Sequence, residues 1–238
     1  MTGGPLQAAL EREHSRLDAH DYAAFHDRRY AFLMARALAA APPEGDPEVL
    51  DVGPSPFTLR LRERYRRVAT LGFPLGGTDY MGGGHIPYDL AWAAEGRSIE
   101  TAQRFDLVVF AEVLEHLTVP PEAVLPALAA VMRPGAALLL QTPNAASLFK
   151  RLELLVGRNP YEPLRISRDN PGHFREYTGA EIDQALRRSG FEPVSHAFEN
   201  YFPRPRPSGL RLGRRLLEAA ERLVPTLREG QTVVARRR

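Results

Sequence analysis

Phe105-Asp106-Leu107-Val108-Val109-Phe110-Ala111-Glu112-Val113-Leu114-Glu115-His116-Leu117 is the stretch that decides how this chain folds. Leu107 to Phe110 is a short apolar run centred on two β-branched valines, the pattern of a strand buried on both faces. The run passes through Ala111 into Glu112, Glu115 and His116. A buried strand that breaks into polar residues at its carboxyl end marks the edge at which an open α/β sheet binds ligands. A second such edge lies upstream in VLDVGPS, Val49 to Ser55. Together they predict a sheet with a small-molecule crevice along one edge.

Working outward, apolar residues recur at near-helical spacing from residue 5 to about 40, through Leu10, Leu17, Tyr22, Phe25, Phe32 and Leu33. The cluster APPEGDP at 41 to 47 ends that region. Strands are predicted at Val49–Val52, Val68–Leu71, Ile86–Leu90, Leu107–Phe110 and Ala137–Gln141, with helices at 57–66 and 121–132 between them. Pro121 suits a first helical turn, and Arg133-Pro134-Gly135 stops that helix. Residues 145 to 178 read as one long polar and aromatic loop, of the kind that serves as a lid or binding loop. Thr178 with Glu181 is a capping box for a helix that stops at Gly190. Final strands are predicted at 191–202 and 231–235, with a basic amphipathic helix at 210–223 whose leucines pack on the sheet. Alternating strands and helices imply a mainly parallel, doubly wound α/β sheet, with room for an antiparallel pair at the end.

The chain has 238 residues, 44% of them hydrophobic and 25% charged, enough for a full core and ordinary for a globular protein. No apolar run reaches the length of a membrane span, and the N-terminus lacks the apolar centre of a signal peptide. The absence of cysteine excludes disulfides and thiolate metal sites and fits a cytoplasmic location. Net charge is only +2, with Lys150 the sole lysine. The basic excess sits late, at Arg204, Arg206, Arg211, Arg214, Arg215 and Arg236 to Arg238. These arginines are read as a solvated surface, with a nucleic-acid footprint as the alternative. The helix at 210–223 leaves peripheral membrane contact open as well.

Five pieces in order, VLDVGPS, YDL at Tyr88 to Leu90, FDLVVFAEVLEHL, VMRPGAALLLQTPN and HFREYTGAEIDQALRRSGFEPV, resemble the class I S-adenosylmethionine-dependent methyltransferases, in the branch acting on small molecules, sugars and natural products. The resemblance spans about 49 to 202. It implies a Rossmann-like seven-stranded sheet whose last strand is antiparallel. It also implies an N-terminal helical cap at 1–42, a methyltransferase-like domain at 43–238, a lid or substrate insertion at 145–178 and a helical insertion at 203–229. The cofactor implied is S-adenosylmethionine, and the activity is methyl transfer to a hydroxyl of a small-molecule or glycan acceptor. RNA or protein methylation, or a non-catalytic cofactor-binding role, are the alternatives.

The same resemblance places the cofactor. Gly53 lets backbone approach the ligand without a Cβ clash. Pro54 and Ser55 complete the turn, where helix-start amides face the methionine carboxylate. Asp51 holds loop amides or the cofactor ammonium. Asp89, with Leu90 beside it, is the adenine-side acid, and Ala111 and Glu112 lie at the methionine moiety. Two departures stand out: the glycine-rich run is reduced to Gly53-Pro54-Ser55-Pro56, and Thr70-Leu71-Gly72-Phe73 lacks the ribose-binding acid, for which Asp79 is the candidate substitute. His173, in the long loop, is the candidate substrate-side base, as a histidine of near-neutral pKa; its other reading is a loop staple. His116 sits near the sulphonium or the substrate, or else bonds a backbone carbonyl. Tyr22 and Tyr30 close over the cofactor or pack the core. No spacing such as His-x-x-x-His is present, so no metal is expected.

Overall fold

The two apolar runs lie side by side as parallel strands in the computed structural model, which describes residues 25–73, 84–166, 171–202 and 211–238. β1 (Glu48–Val52) pairs with β4 (Phe105–Ala111), Val49 opposite Leu107 and Val52 opposite Phe110. Beyond β1 come β2 (Arg67–Gly72) and β3 (His85–Pro87), both parallel. Beyond β4 come β5 (Met132–Pro143), then β7 (Gly230–Arg237) and β6 (Phe191–Glu199). The order is β3-β2-β1-β4-β5-β7-β6, and β7 runs antiparallel to both neighbours. This is the expected Rossmann-like seven-stranded sheet with an antiparallel last strand. The winding direction reverses between β1 and β4, so their carboxyl ends flank the topological switch point where such sheets bind ligands.

Period-2 alternation divides the strands between two cores. Leu50, Val52, Val108, Phe110, Leu138 and Leu140 face one core, closed by α3 (Pro121–Ala130) and α5 (Gly179–Arg188). Val49, Leu107, Val109 and Leu139 face the other, closed by Tyr30 and Leu33 of α1 (Asp27–Ala40) and Phe57 and Leu61 of α2 (Pro56–Arg64). Tyr30 is therefore a core residue, tilted against Phe57; Tyr22 lies outside the described residues.

Several expectations are corrected. β3 stops at Pro87, and Leu90 opens a 3-10 turn (Leu90–Glu95) because Asp89 accepts from Ala91 N at 2.9 Å, a local bond that competes with strand extension. β5 begins at Met132, so Pro134 lies inside the strand, where the register with β4 shifts between Phe105 and Leu107. The long stretch after β5 contains a helix, α4 (Leu148–Leu155), which buries none of its residues. On α6 (Arg211–Leu223), Leu216, Leu217 and Leu223 are exposed instead of packed on the sheet; among its described side chains the buried one is Glu221, which accepts from Asn200 Nδ2 at 2.9 Å. Among the described residues, no helix is long and apolar enough to cross a membrane.

Candidate functional site

The turn after β1 is built to be stiff. Gly53 has φ of 75°, and a Cβ there would lie 2.5 Å from Val113 Cγ2. Glycine is required because the chain after β4 packs onto this turn. Ser55 caps α2, accepting from Phe57 N at 3.2 Å, and its own N–H donates to Thr58 Oγ1 at 3.0 Å. The Thr58 hydroxyl donates to Asp51 at 2.5 Å. Asp51 thus anchors the first turn of α2, and burial pushes its carboxyl up to about 7. Pro54 lies against the end of β2, where a Cβ on Gly72 would come 3.2 Å from its Cδ. Proline therefore fills space beside the end of β2. There Thr70 Oγ1 is 2.9 Å from His85 Nδ1, and His85 Nε2 donates to Phe73 O at 3.1 Å. Asp89 and Leu90 sit at the end of β3, the first half-buried and the second in the core. Asp79 lies outside the described residues.

The end of β4 carries the strain. Glu112, directly after Ala111, has φ of 55°, the one positive φ at a non-glycine among the described residues. Its N–H donates to Gln141 O at 2.8 Å, which holds the backbone in that conformation. Burial raises the Glu112 carboxyl, opposed by the positive charge of Arg29. Glu115 is fully buried in a 3-10 turn (Leu114–His116) and raised well above the carboxylate range by burial and by the nearby Glu112. It accepts from the Thr142 hydroxyl at 2.8 Å. Its backbone carbonyl accepts from Phe174 N at 2.8 Å and Arg175 N at 3.3 Å, latching the later loop onto the turn.

That latch brings His173 to His116, ring centroids 4.8 Å apart and edge to face. His116 Nδ1 lies 3.0 Å from Gly172 O, and His173 Nδ1 lies 3.1 Å from Glu176 Oε1. Glu176 also pairs with Lys150 of α4, whose ammonium is lowered to about 8 by burial. His173 is not the near-neutral histidine expected: burial, then the neighbouring His116, lower it to about 3, so its ring is neutral across the physiological range.

Arg29 escaped the sequence reading. It is 5% exposed, bonds His26 Nδ1 at 3.2 Å and Gln141 Oε1 at 3.3 Å, and makes no ion pair among the described residues. A buried guanidinium without a carboxylate partner is costly unless an anion arrives. Nothing in a helix rich in arginine and alanine distinguishes it; only its reach to Gln141 of β5 does. A separate cleft of about 430 Å³, lined by Glu48, Arg104, Arg133 and Arg237, opens at the amino edge of the sheet, away from the switch point.

A family model described as a methyltransferase domain matches residues 22–196. Among curated proteins, none matches the sequence. A SAM-dependent methyltransferase from Archaeoglobus fulgidus superposes with a TM-score of 0.58 at 15% identity, covering 90% of this chain and 97% of that one. The N-methyltransferase NodS from Bradyrhizobium japonicum WM9, in complex with S-adenosyl-l-homocysteine, gives 0.53 at 16% identity and 98% of both chains. A 1,6-didemethyltoxoflavin-N1-methyltransferase from Burkholderia thailandensis, with its namesake compound and S-adenosylhomocysteine bound, gives 0.54 at 16%, covering 100% of this chain and 92% of that one. At these identities the likeness speaks for the fold.

Proposed function

Because the chain belongs to the methyltransferase-domain family, we propose that it transfers the methyl group of S-adenosylmethionine to an oxygen of a small-molecule or glycan acceptor at the crevice between β1 and β4. The observation that carries this reading is the convergence of Glu112, Glu115, His116 and His173 at the switch point, from two segments far apart in the chain. Carboxylate and imidazole lone pairs accept hydrogens, as a hydroxyl-bearing acceptor requires.

The residues present fit the cofactor. Its methionine end is a zwitterion, and Arg29 offers a buried cation while Glu112 offers a carboxylate at the adjoining strand end. Arg29 binds the carboxylate and Glu112 the ammonium, each charge-assisted. Asp89 and Leu90 flank the adenine, and Ala111 and the Gly53-Pro54-Ser55 turn line the remainder. Asp51 acts indirectly, through Thr58 and the α2 cap. When bound, S-adenosylmethionine supplies an electrophilic methyl on a positive sulphur. The chain's own work is to hold the acceptor in line and keep water out. Of the cap expected at 1–42, residues 1–24 lie outside the described residues; the described parts of 145–178 (145–166 and 171–178) act as a lid, tethered where Lys150 of α4 meets Glu176. His116 and His173 face the acceptor.

An amine acceptor is the second reading, since NodS and the toxoflavin enzyme are N-methyltransferases. Nucleic acid is the less favoured reading: Arg236 donates to Gly135 O at 3.3 Å, Arg237 to Met132 O, and Arg238 pairs with Glu192, so these three arginines close the sheet margin; Arg204 and Arg206, and the side chains of Arg211, Arg214 and Arg215, lie outside what is described. Calorimetric titration with S-adenosylhomocysteine should show binding. Turnover of labelled S-adenosylmethionine against matched hydroxyl and amine acceptors should label oxygen. Failure to bind S-adenosylhomocysteine sinks the reading; labelled nitrogen alone redirects it.

A further inference from the structure

Around Glu115, His116 and His173, atoms able to ligate a cation converge. One potential ligand atom from each lies within 4.8 Å of the other two. Glu115 Oε2 takes the Thr142 hydroxyl, but Glu115 Oε1, in a side chain with no solvent exposure, has no hydrogen-bond partner among the described residues. A buried acceptor left in that condition is costly. His116 Nδ1 faces the Gly172 carbonyl, which can only accept, so Nδ1 carries the hydrogen and Nε2 is the atom that can offer a lone pair to a ligand. His173 Nδ1 faces the Glu176 carboxylate, which is held by Lys150, and the same tautomer follows. Imidazoles held at one nitrogen by a carbonyl or carboxylate, with the other nitrogen open, are how proteins present histidine to a metal. Both rings are only partly buried, so the cluster is reachable from the crevice.

We propose that Glu115, His116 and His173 form a binding site for a divalent transition-metal cation of the Mn²⁺, Co²⁺ or Zn²⁺ kind, oriented by Thr142, the Gly172 carbonyl and Glu176. Two imidazoles and one carboxylate, which give up their ligand-side protons as the metal binds, leave coordination positions open. Acceptor oxygens fill them, which places a hydroxyl, or a pair of adjacent oxygens, on the acceptor. This role in catalysis rests on the methyl-transfer reading above; the binding of the cation does not. The cation makes a bound hydroxyl more acidic. Its proton leaves to solvent, the oxygen–methyl bond forms as the methyl–sulphur bond breaks, and the sulphur keeps the electron pair.

The test is titration of Mn²⁺ into chelator-dialysed protein, read by electron paramagnetic resonance, with Co²⁺ absorption reporting the ligands. One ion per chain is expected. Glu115→Gln, which keeps an acceptor for Thr142, and His173→Asn should each weaken binding about tenfold or more, and Glu176→Gln, which leaves all three ligands in place, by about 10–100-fold. Circular dichroism confirms that each variant is folded. The proposal is overturned if the wild-type chain binds none of the three ions at millimolar concentration, or if folded Glu115→Gln and His173→Asn bind unchanged. Calorimetry with S-adenosylhomocysteine on the same sample separates the two ideas. Cofactor product bound without metal removes only the metal site, whereas metal bound without cofactor product removes the methyl-transfer reading and leaves the site.

Discussion

Gly53 and Val113 occupy one space at the crevice, and neither can grow. Gly53→Ala meets Val113 Cγ2 and also forces a Cβ onto a positive φ. The two effects together should cost about 2–4 kcal/mol, seen as a lower denaturation midpoint, with Val113→Ala in the same chain recovering part. Asp51 makes a different prediction. Its folded pKa of about 7 stands above the ordinary 3.8, so the folded chain holds a proton that the unfolded chain has already lost. The stability this group contributes is full below about pH 3.8 and is lost as pH rises through about 7. Urea denaturation at pH 5 and pH 8 should show the decline in the wild type, and Asp51→Asn should flatten it while still accepting the Thr58 hydroxyl. The glycine at residue 53 was legible as a place of close approach, expected there for the ligand. Its reason was not, because Val113 reaches it only once β1 and β4 are paired.

α5 shows how an element's local code is read in full. Thr178 accepts from Glu181 N, and the Glu181 carboxylate accepts from Thr178 N at 2.8 Å, the reciprocal bonds that the TGAE spacing predicts. Thr178→Ala should cost about 1 kcal/mol, a fall in Tm of roughly 2–4 °C for a chain of this size. The Arg175–Glu181 pair at 2.7 Å is more than half exposed on the arginine side and should add little when removed. Strand centres were equally legible, because burial on both faces leaves uninterrupted apolar runs. Strand ends and α4 were not. Asp89 diverts its own backbone by capping, and α4 carries no buried face to reveal it among polar neighbours.

For the whole molecule, binding and folding are linked. S-adenosylhomocysteine at about 100 times its Kd should add about 2.7 kcal/mol of stability, raising Tm by roughly 5–10 °C. Arg29→Met, close in volume, should keep the fold and lose most of that rise, because the buried cation facing Gln141 would be gone. A full rise in Arg29→Met would dismiss Arg29 as the carboxylate anchor. The sequence by itself determined the two buried strands, their polar carboxyl ends, the mixed α/β order and the capping box, since each is written in residues a few positions apart. Only the tertiary structure decided that His173 meets Glu115 and His116, that Arg29 reaches Gln141, and that Asp51 serves a helix cap. Those contacts join segments distant in the chain, and their partners are chosen by strand order and packing, which leave no local periodicity to read.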